Sequence, residues 1–169
     1  GAGTYIVGTT NGDVTVSKSG DLATFTPSTG VAVTKVAADV TGLRVDDITV
    51  TSSAAIASGK TITGNGNLTV TALDATADAD FSLITATGTL TANVADDVTF
   101  TGDLGTFAVT VDTGKTLTTT AAKATGIAIT GAGGVTLTAL DADADADLSS
   151  ITASGTKTVN VADNVTFTG

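Results

Sequence analysis

Apolar and polar residues alternate along most of this chain in short runs. In the run 68–72, Leu68 and Val70 would face one side while Thr69 and Thr71 face the other. The same alternation returns in 90–94, 107–111, 127–130 and 135–139. A period of two is typical of strands that bury one face. Each of these runs therefore predicts a β-strand.

Other runs rich in Val, Ile, Thr and Phe predict further strands, because side chains branched at Cβ and aromatic side chains suit a pleated surface. These runs are 4–7, 13–17, 22–26, 31–36, 43–45, 48–51, 60–63, 81–86, 98–101, 116–120, 151–153, 157–161 and 165–168. Clusters of Gly, Asn and Asp separate them, and these residues favour turns. The spacing of short strands and turns predicts an all-β protein.

A long internal repeat organises these strands. Segments 68–102 and 135–169 align without a gap, so that Leu68 corresponds to Val135, and most of the aligned positions are identical. Insertions between weaker echoes elsewhere in the chain fall in the turns. Repeats of this kind are typical of stacked structural arrays, in which each unit buries its apolar face against the next.

Two architectures fit such a repeat. In a parallel β-solenoid, coils of about 18–24 residues would stack on one another, with equivalent strands of successive coils about 4.8 Å apart. In tandem β-sandwich repeats, each unit would be an immunoglobulin-like domain, but the repeat period is short for one and the chain has no Trp. We therefore expect a parallel β-solenoid over 1–169 as a single segment of a longer array, with the sandwiches as the alternative.

The composition agrees with strands and turns and narrows the function. All 17 acidic residues are Asp, and the chain has no His, Cys or Met. The net charge of −10 argues against nucleic acid as a partner, because binding to phosphates needs a basic face. No apolar run reaches the roughly 18 residues that a membrane-spanning helix needs. We expect neither a nucleic-acid partner nor membrane insertion.

Candidate catalytic residues are scarce. Without His, Cys and Glu, the usual general bases, thiol nucleophiles and zinc ligands are missing. Arg44 is the only arginine and Tyr5 the only tyrosine. We expect that the protein is not an enzyme.

The one constellation that suggests a cofactor is a pair of Asp-rich loops, 74–80 and its copy 141–147. Alternating carboxylates on an extended loop could supply the oxygen ligands that Ca²⁺ prefers. The candidate calcium ligands are Asp74, Asp78, Asp80, Asp141, Asp143, Asp145 and Asp147. The competing interpretation is a solvated acidic bulge that keeps the array soluble. A helical turn within 75–80 is a further alternative.

Thr-x-Thr triplets recur through the chain, for example at 69–71, 99–101, 136–138 and 166–168. Stacked triplets resemble the ice-binding face of β-helical antifreeze proteins. The competing interpretation is that outward-facing Thr is present for its strand propensity.

The Thr, Ala, Gly and Asp bias, the lack of Cys and the repeated segments 94–102 and 161–169 resemble bacterial β-strand-repeat surface proteins. This group includes solenoid S-layer proteins, large adhesins and autotransporter passengers. The resemblance implies secretion to the cell surface, calcium-assisted assembly and self-association. We therefore expect a structural module of an S-layer, filament or stalk. The alternative is an adhesin segment that binds carbohydrate, a host surface or ice.

Overall fold

The computed structural model describes residues 2–8, 12–140, 145–161, 163–164 and 166, and short β-strands are the main regular secondary structure among them. The strands are β1 (Gly3–Val7), β2 (Val14–Ser19), β3 (Leu22–Pro27), β4 (Val33–Val36), β5 (Val40–Val45), β6 (Thr49–Ser53), β7 (Thr61–Thr63), β8 (Asn67–Thr71), β9 (Leu90–Val94), β10 (Val98–Thr99), β11 (Ala108–Val111), β12 (Thr116–Thr120), β13 (Ile129–Gly131), β14 (Gly134–Thr138) and β15 (Lys157–Val159). Two one-turn helices, α1 (Ala54–Ala57) and α2 (Ala121–Ala124), connect strands.

The strands form three sheets of three, four and eight strands. Their orders are β1-β5-β7, β10-β12-β14-β15 and β13-β11-β9-β8-β6-β2-β3-β4. From β6 to β13 the strands of the eight-stranded sheet are parallel, and the register places Val50 beside Leu68 and Val109 beside Ile129. The four-stranded sheet is parallel throughout.

The predicted parallel β-solenoid is wrong. The eight-stranded sheet is mixed, because β3 pairs antiparallel with both β2 and β4, and no closed solenoid is found among the described residues. The loop Gly20–Asp21 explains the reversal: Ser19 pairs with Leu22, so only two residues join β2 to β3. A two-residue loop can join only antiparallel neighbours, and Gly20 has the positive φ of 55° that such loops favour.

The alternative of tandem β-sandwich repeats is also wrong. Sandwiches are built from antiparallel sheets, whereas every described strand pair outside β2-β3-β4 is parallel.

The core consists of the inward residues of the alternating runs. Leu68 and Val70 of β8 are buried, as the alternation requires, and Thr69 between them is partly exposed. Phe81 and Phe107 stack with ring centroids 4.9 Å apart. Most other core side chains are Val, Leu, Ile and Ala, so neighbouring strands can approach closely.

The internal repeat of the sequence is also a structural repeat. The strands β6, β8 and β9 correspond to β12, β14 and β15, and α1 corresponds to α2. Equivalent strands nevertheless lie in different sheets, because the first three belong to the eight-stranded sheet and their copies to the four-stranded sheet. The correspondence begins at Thr49 and Thr116, earlier than the sequence boundaries 68 and 135 suggested.

Two predicted strands are reduced to single bridges. Of the run 81–86 only Ile84 pairs, with Ile62, and of 151–153 only Ile151 pairs, with Ile129. Nearly all of the predicted strand 165–168 lies outside the described residues. The helices are only four residues long, and among the described residues none is long and apolar enough to cross a membrane.

Candidate functional site

The first Asp-rich loop begins with a tight turn rather than an open ligand loop. Ala72 adopts a left-handed conformation with φ 54°, and a 3₁₀ turn follows over Leu73–Ala75. Leu73 is fully buried, which anchors the turn. Asp74 Oδ1 accepts a hydrogen bond from Ala95 N at 2.9 Å. This carboxylate therefore joins two segments that are distant in the chain.

Asp80 and Asp147, which are equivalent in the repeat, each cap a local turn. Asp80 Oδ1 accepts a hydrogen bond from Ser82 N at 2.9 Å. Asp147 Oδ1 accepts from Ser149 N at 3.0 Å and from Ser149 Oγ at 2.7 Å. Hydrogen bonds from the serine side chain and then its backbone lower the pKa of both carboxyl groups below the ordinary value of 3.8.

Of the four remaining predicted calcium ligands, two are described by the structure. Asp78 and Asp145 are exposed, and Asp141 and Asp143 lie outside the described residues. Among the described residues, no group of three or more acidic side chains is placed to hold a metal ion. The described part of the two loops therefore does not fit a calcium ligand set, and calcium binding stays a prediction.

The main polar feature that sequence reasoning missed is a set of hydrogen bonds that Asp and Asn side chains accept from distant backbone N–H groups. We call them inter-segment hydrogen bonds. Asn67 Oδ1 accepts from Thr89 N at 2.8 Å, Asp13 Oδ1 from Thr49 N at 2.8 Å and Asp97 Oδ1 from Thr116 N at 2.7 Å. Each satisfies the N–H of a residue at or just before the start of a strand. The sequence did contain a signal for these hydrogen bonds, because each accepting Asp or Asn also lies at or just before the start of a strand.

Two ion pairs occur among the described residues. Arg44 Nε lies 2.9 Å from Asp46 Oδ2, and Lys115 Nζ contacts Asp96 Oδ1. The hydrogen bond and charge of Asp96 raise the pKa of Lys115 above its ordinary value. Both pairs are solvent-exposed, where such contacts contribute little to stability.

A second kind of candidate site lies at the N-terminal end, where the eight-stranded sheet extends beyond β2 by two strands. Between β1 and this extension is an apolar cavity of about 130 Å³. We call it the N-terminal notch, and its lining includes Tyr5, Phe25, Val31 and Val33. The Tyr5 and Phe25 rings lie 5.8 Å apart, and Lys35 Nζ lies 5.6 Å from the Tyr5 ring centroid. The notch can accept apolar side chains.

Comparison with protein-family models, curated proteins and solved structures finds no match to this chain.

Proposed function

We propose that this chain is a non-enzymatic structural repeat module of a secreted bacterial surface protein, and that it self-assembles into an S-layer, filament or stalk. The observation that supports this most directly is that the two copies of the repeat make the same backbone contacts. Thr85 N donates to Ile62 O at 2.8 Å, and at the equivalent position of the second copy Thr152 N donates to Ile129 O at 2.8 Å. A unit that carries its own contacts can be repeated to lengthen a structure.

The roles of the polar side chains also support a structural function. The carboxylates of Asp13, Asp74 and Asp97 hold backbone N–H groups of adjacent segments. A carboxylate engaged in this way holds two segments together, which is a mechanical role. The remaining exposed Asp residues give the surface a negative charge that favours solubility.

Electron microscopy of the purified chain tests the assembly. We expect ordered filaments or sheets that grow with protein concentration. A sample that remains monomeric at every concentration would contradict the proposal.

Calcium stabilisation is a separable part of the proposal, and thermal unfolding in Ca²⁺ and in EDTA tests it. A ligand that binds only the folded state must raise the melting temperature. Replacement of Asp141 and Asp143 by Asn should abolish the rise, whereas the charge-matched replacement of Asp21 and Asp163 should leave it. An identical melting temperature in Ca²⁺ and EDTA would remove calcium from the proposal.

An adhesin segment is the second candidate, and the outer face of the eight-stranded sheet favours it. Thr51, Thr69 and Thr91 are paired in register on three consecutive strands, and Thr91 Oγ1 contacts Thr69 Oγ1 at 3.4 Å. The next position is Ala108, which interrupts the row. Retention of the monomer on a carbohydrate array or at an ice surface, lost on Thr69→Val, would favour this candidate over a structural module.

A further inference from the structure

Strands β3 and β4 interrupt a largely parallel arrangement at an internal point of the chain. Between β2 and β5 the chain crosses from the eight-stranded sheet to the three-stranded sheet, and between β6 and β7 it makes the same crossing again. Only the first crossing contains strands of its own. The two crossings can be compared by register, because Val16 pairs with Ser52 before the crossing and Gly42 pairs with Thr61 after it.

The first crossing contains 17 additional residues. Val16 and Gly42 are 26 positions apart, whereas their partners Ser52 and Thr61 are nine positions apart, and 26 minus nine is 17. The segment 20–36 has this length, and it consists of the two-residue turn after β2, the strands β3 and β4 and the loop between them. We call it the hairpin insertion. The crossing itself needs no more residues than the connection that contains α1.

The hairpin insertion covers the edge of β2 that faces away from β6. β2 pairs parallel with β6 on one side and antiparallel with β3 on the other. Six residue pairs join β2 to β3 along the whole length of β2. Just beyond them, Ser28 N donates to Asp13 O at 2.8 Å. The backbone groups on this edge of β2 therefore find their partners within the chain.

The insertion also covers the core beside β2. Ala23 and Phe25 of β3 are buried, and the Phe25 ring lies 5.8 Å from the Tyr5 ring. Thr24 between them is partly exposed, and its Oγ1 lies 3.1 Å from Thr34 Oγ1 of β4. The insertion thus has an apolar inner side and a polar outer side, so it packs as part of the sheet.

The outer strand of the insertion is less suited to further pairing than β2 is. β4 has four residues, whereas β2 has six. Lys35 lies within β4, between Thr34 and Val36. Short edge strands and lysine on an edge both disfavour pairing with another chain. The insertion therefore replaces a longer edge with a shorter, charged one.

We propose that the hairpin insertion is an edge cap, which prevents β2 from pairing with β2 of a second copy of this chain. An uncovered strand edge is a template for pairing. Without the insertion, the freed edges of two copies would pair antiparallel about a two-fold axis, since identical edges can satisfy each other in this way. The inference goes beyond the proposed structural function, because it concerns a contact that the fold prevents.

Deletion of residues 20–36 tests the cap. It joins Ser19 to Ala37 and gives the first crossing the same length as the crossing from β6 to β7. Circular dichroism should show a folded β-protein. In sedimentation at concentrations where the unaltered chain is monomeric, the shortened chain should form a dimer, with self-association at least about tenfold tighter than that of the unaltered chain.

An added lysine distinguishes edge pairing from non-specific association. Thr15→Lys in the shortened chain places a charge on the freed strand β2 and should restore the monomer. Thr71→Lys is the matched control, because Thr71 is also exposed but lies on β8, which has a partner strand on each side. The dimer should persist in this control. Equal effects of the two lysines would overturn pairing through β2.

A shortened chain that folds and remains monomeric would overturn the cap. Should the shortened chain not fold, Phe25→Asp in the full-length chain decides the question, because a buried charge releases the insertion from the core. That variant should dimerise, and Thr15→Lys should abolish its dimer; a monomeric Phe25→Asp chain would overturn the cap. An unaltered chain that never forms filaments would contradict the proposed structural function alone, since the cap predicts only a difference between chains.

Discussion

Individual Asp and Asn side chains do more to join the segments of this chain than their turn-like sequence context suggests. Asn67 is the clearest case, because its two side-chain groups bond to different segments: Oδ1 accepts from Thr89 N, and Nδ2 lies 3.4 Å from Thr49 Oγ1. Asn67 also lies in a glycosylation-type triplet with Thr69. The structure shows its amide engaged between segments.

We expect Asn67→Ala to lower the free energy of unfolding by about 0.5–1.5 kcal/mol, because the hydrogen bond from Thr89 N would be lost at an exposed site. Urea denaturation measures the change. Asn164→Ala is the matched control, since Asn164 is exposed, and it should have little effect. Equal destabilisation by both substitutions would mean that the inter-segment hydrogen bond at Asn67 adds nothing to stability.

Asp80 and Asp147 make the stability of the folded chain depend on pH. Their pKa values are lower in the folded chain than the ordinary 3.8, so their stabilisation is present above about pH 4 and is lost as pH falls through the folded pKa. Ser149→Ala removes a hydrogen bond to Asp147, so the pKa of Asp147 should rise towards its ordinary value. NMR titration of the Asp147 carboxyl measures this pKa.

Ser150→Ala serves as the control, because it removes a neighbouring hydroxyl that has no described bond to Asp147. An unchanged Asp147 pKa in Ser149→Ala would show that the serine hydroxyl does not stabilise the carboxylate.

At the scale of elements, close backbone contacts between repeated turns set the spacing of the segments. A Cβ added at Gly88 would lie 2.3 Å from Gly66 O, and one at Gly155 would lie 2.3 Å from Gly133 O. The second pair is the copy of the first in the internal repeat. These glycines are needed for close approach rather than for a positive φ.

We predict that Gly88→Ala lowers the free energy of unfolding by about 1–3 kcal/mol, because the backbone at Gly66 would have to move. Thermal unfolding provides the measurement. Gly3→Ala is the control, since an added Cβ there has no heavy atom within 4 Å. A Gly88→Ala chain as stable as the control would contradict the close contact.

The positions of most strands were predictable from alternation and strand propensity. The predicted runs 43–45, 90–94 and 116–120 lie within or coincide with β5, β9 and β12. The helices α1 and α2 were missed, because elements this short show no helical period. The strand predicted over 81–86 was wrong for another reason. Its apolar residues, such as Phe81 and Ile84, are buried without forming a continuous strand.

At the scale of the whole molecule, like charge opposes association of the chain with copies of itself. Residues 1–40 contain two Lys and three Asp, whereas 141–169 contain one Lys and five Asp, so both ends carry net negative charge. The proposed self-assembly must therefore depend on apolar burial rather than on attraction between opposite charges.

We predict that NaCl strengthens the self-association of the chain, because salt screens the repulsion between copies that each carry a net charge of −10. Sedimentation at low salt and at about 0.15 M salt measures the effect. Weaker association at higher salt would indicate an electrostatic contact and contradict the apolar one.

The candidate calcium site was the least predictable feature. The spacing of Asp74, Asp78 and Asp80 suggested converging carboxylates, but the positive φ at Ala72 and the buried Leu73 give the loop a turn that engages Asp74 and Asp80 separately. Spacing along a chain specifies ligands only when the backbone path is known.

From the order of its residues alone, this chain specifies where its strands lie, which side chains enter the core and that one unit occurs twice, because alternation and repetition are local properties. Which strands pair with each other, and whether they pair parallel or antiparallel, is not decided by local sequence. The same alternation serves β2 in an antiparallel pair with β3 and β8 in a parallel pair with β9. The length of each connection and the packing of distant segments select between these pairings, so the mixed eight-stranded sheet emerges only in three dimensions.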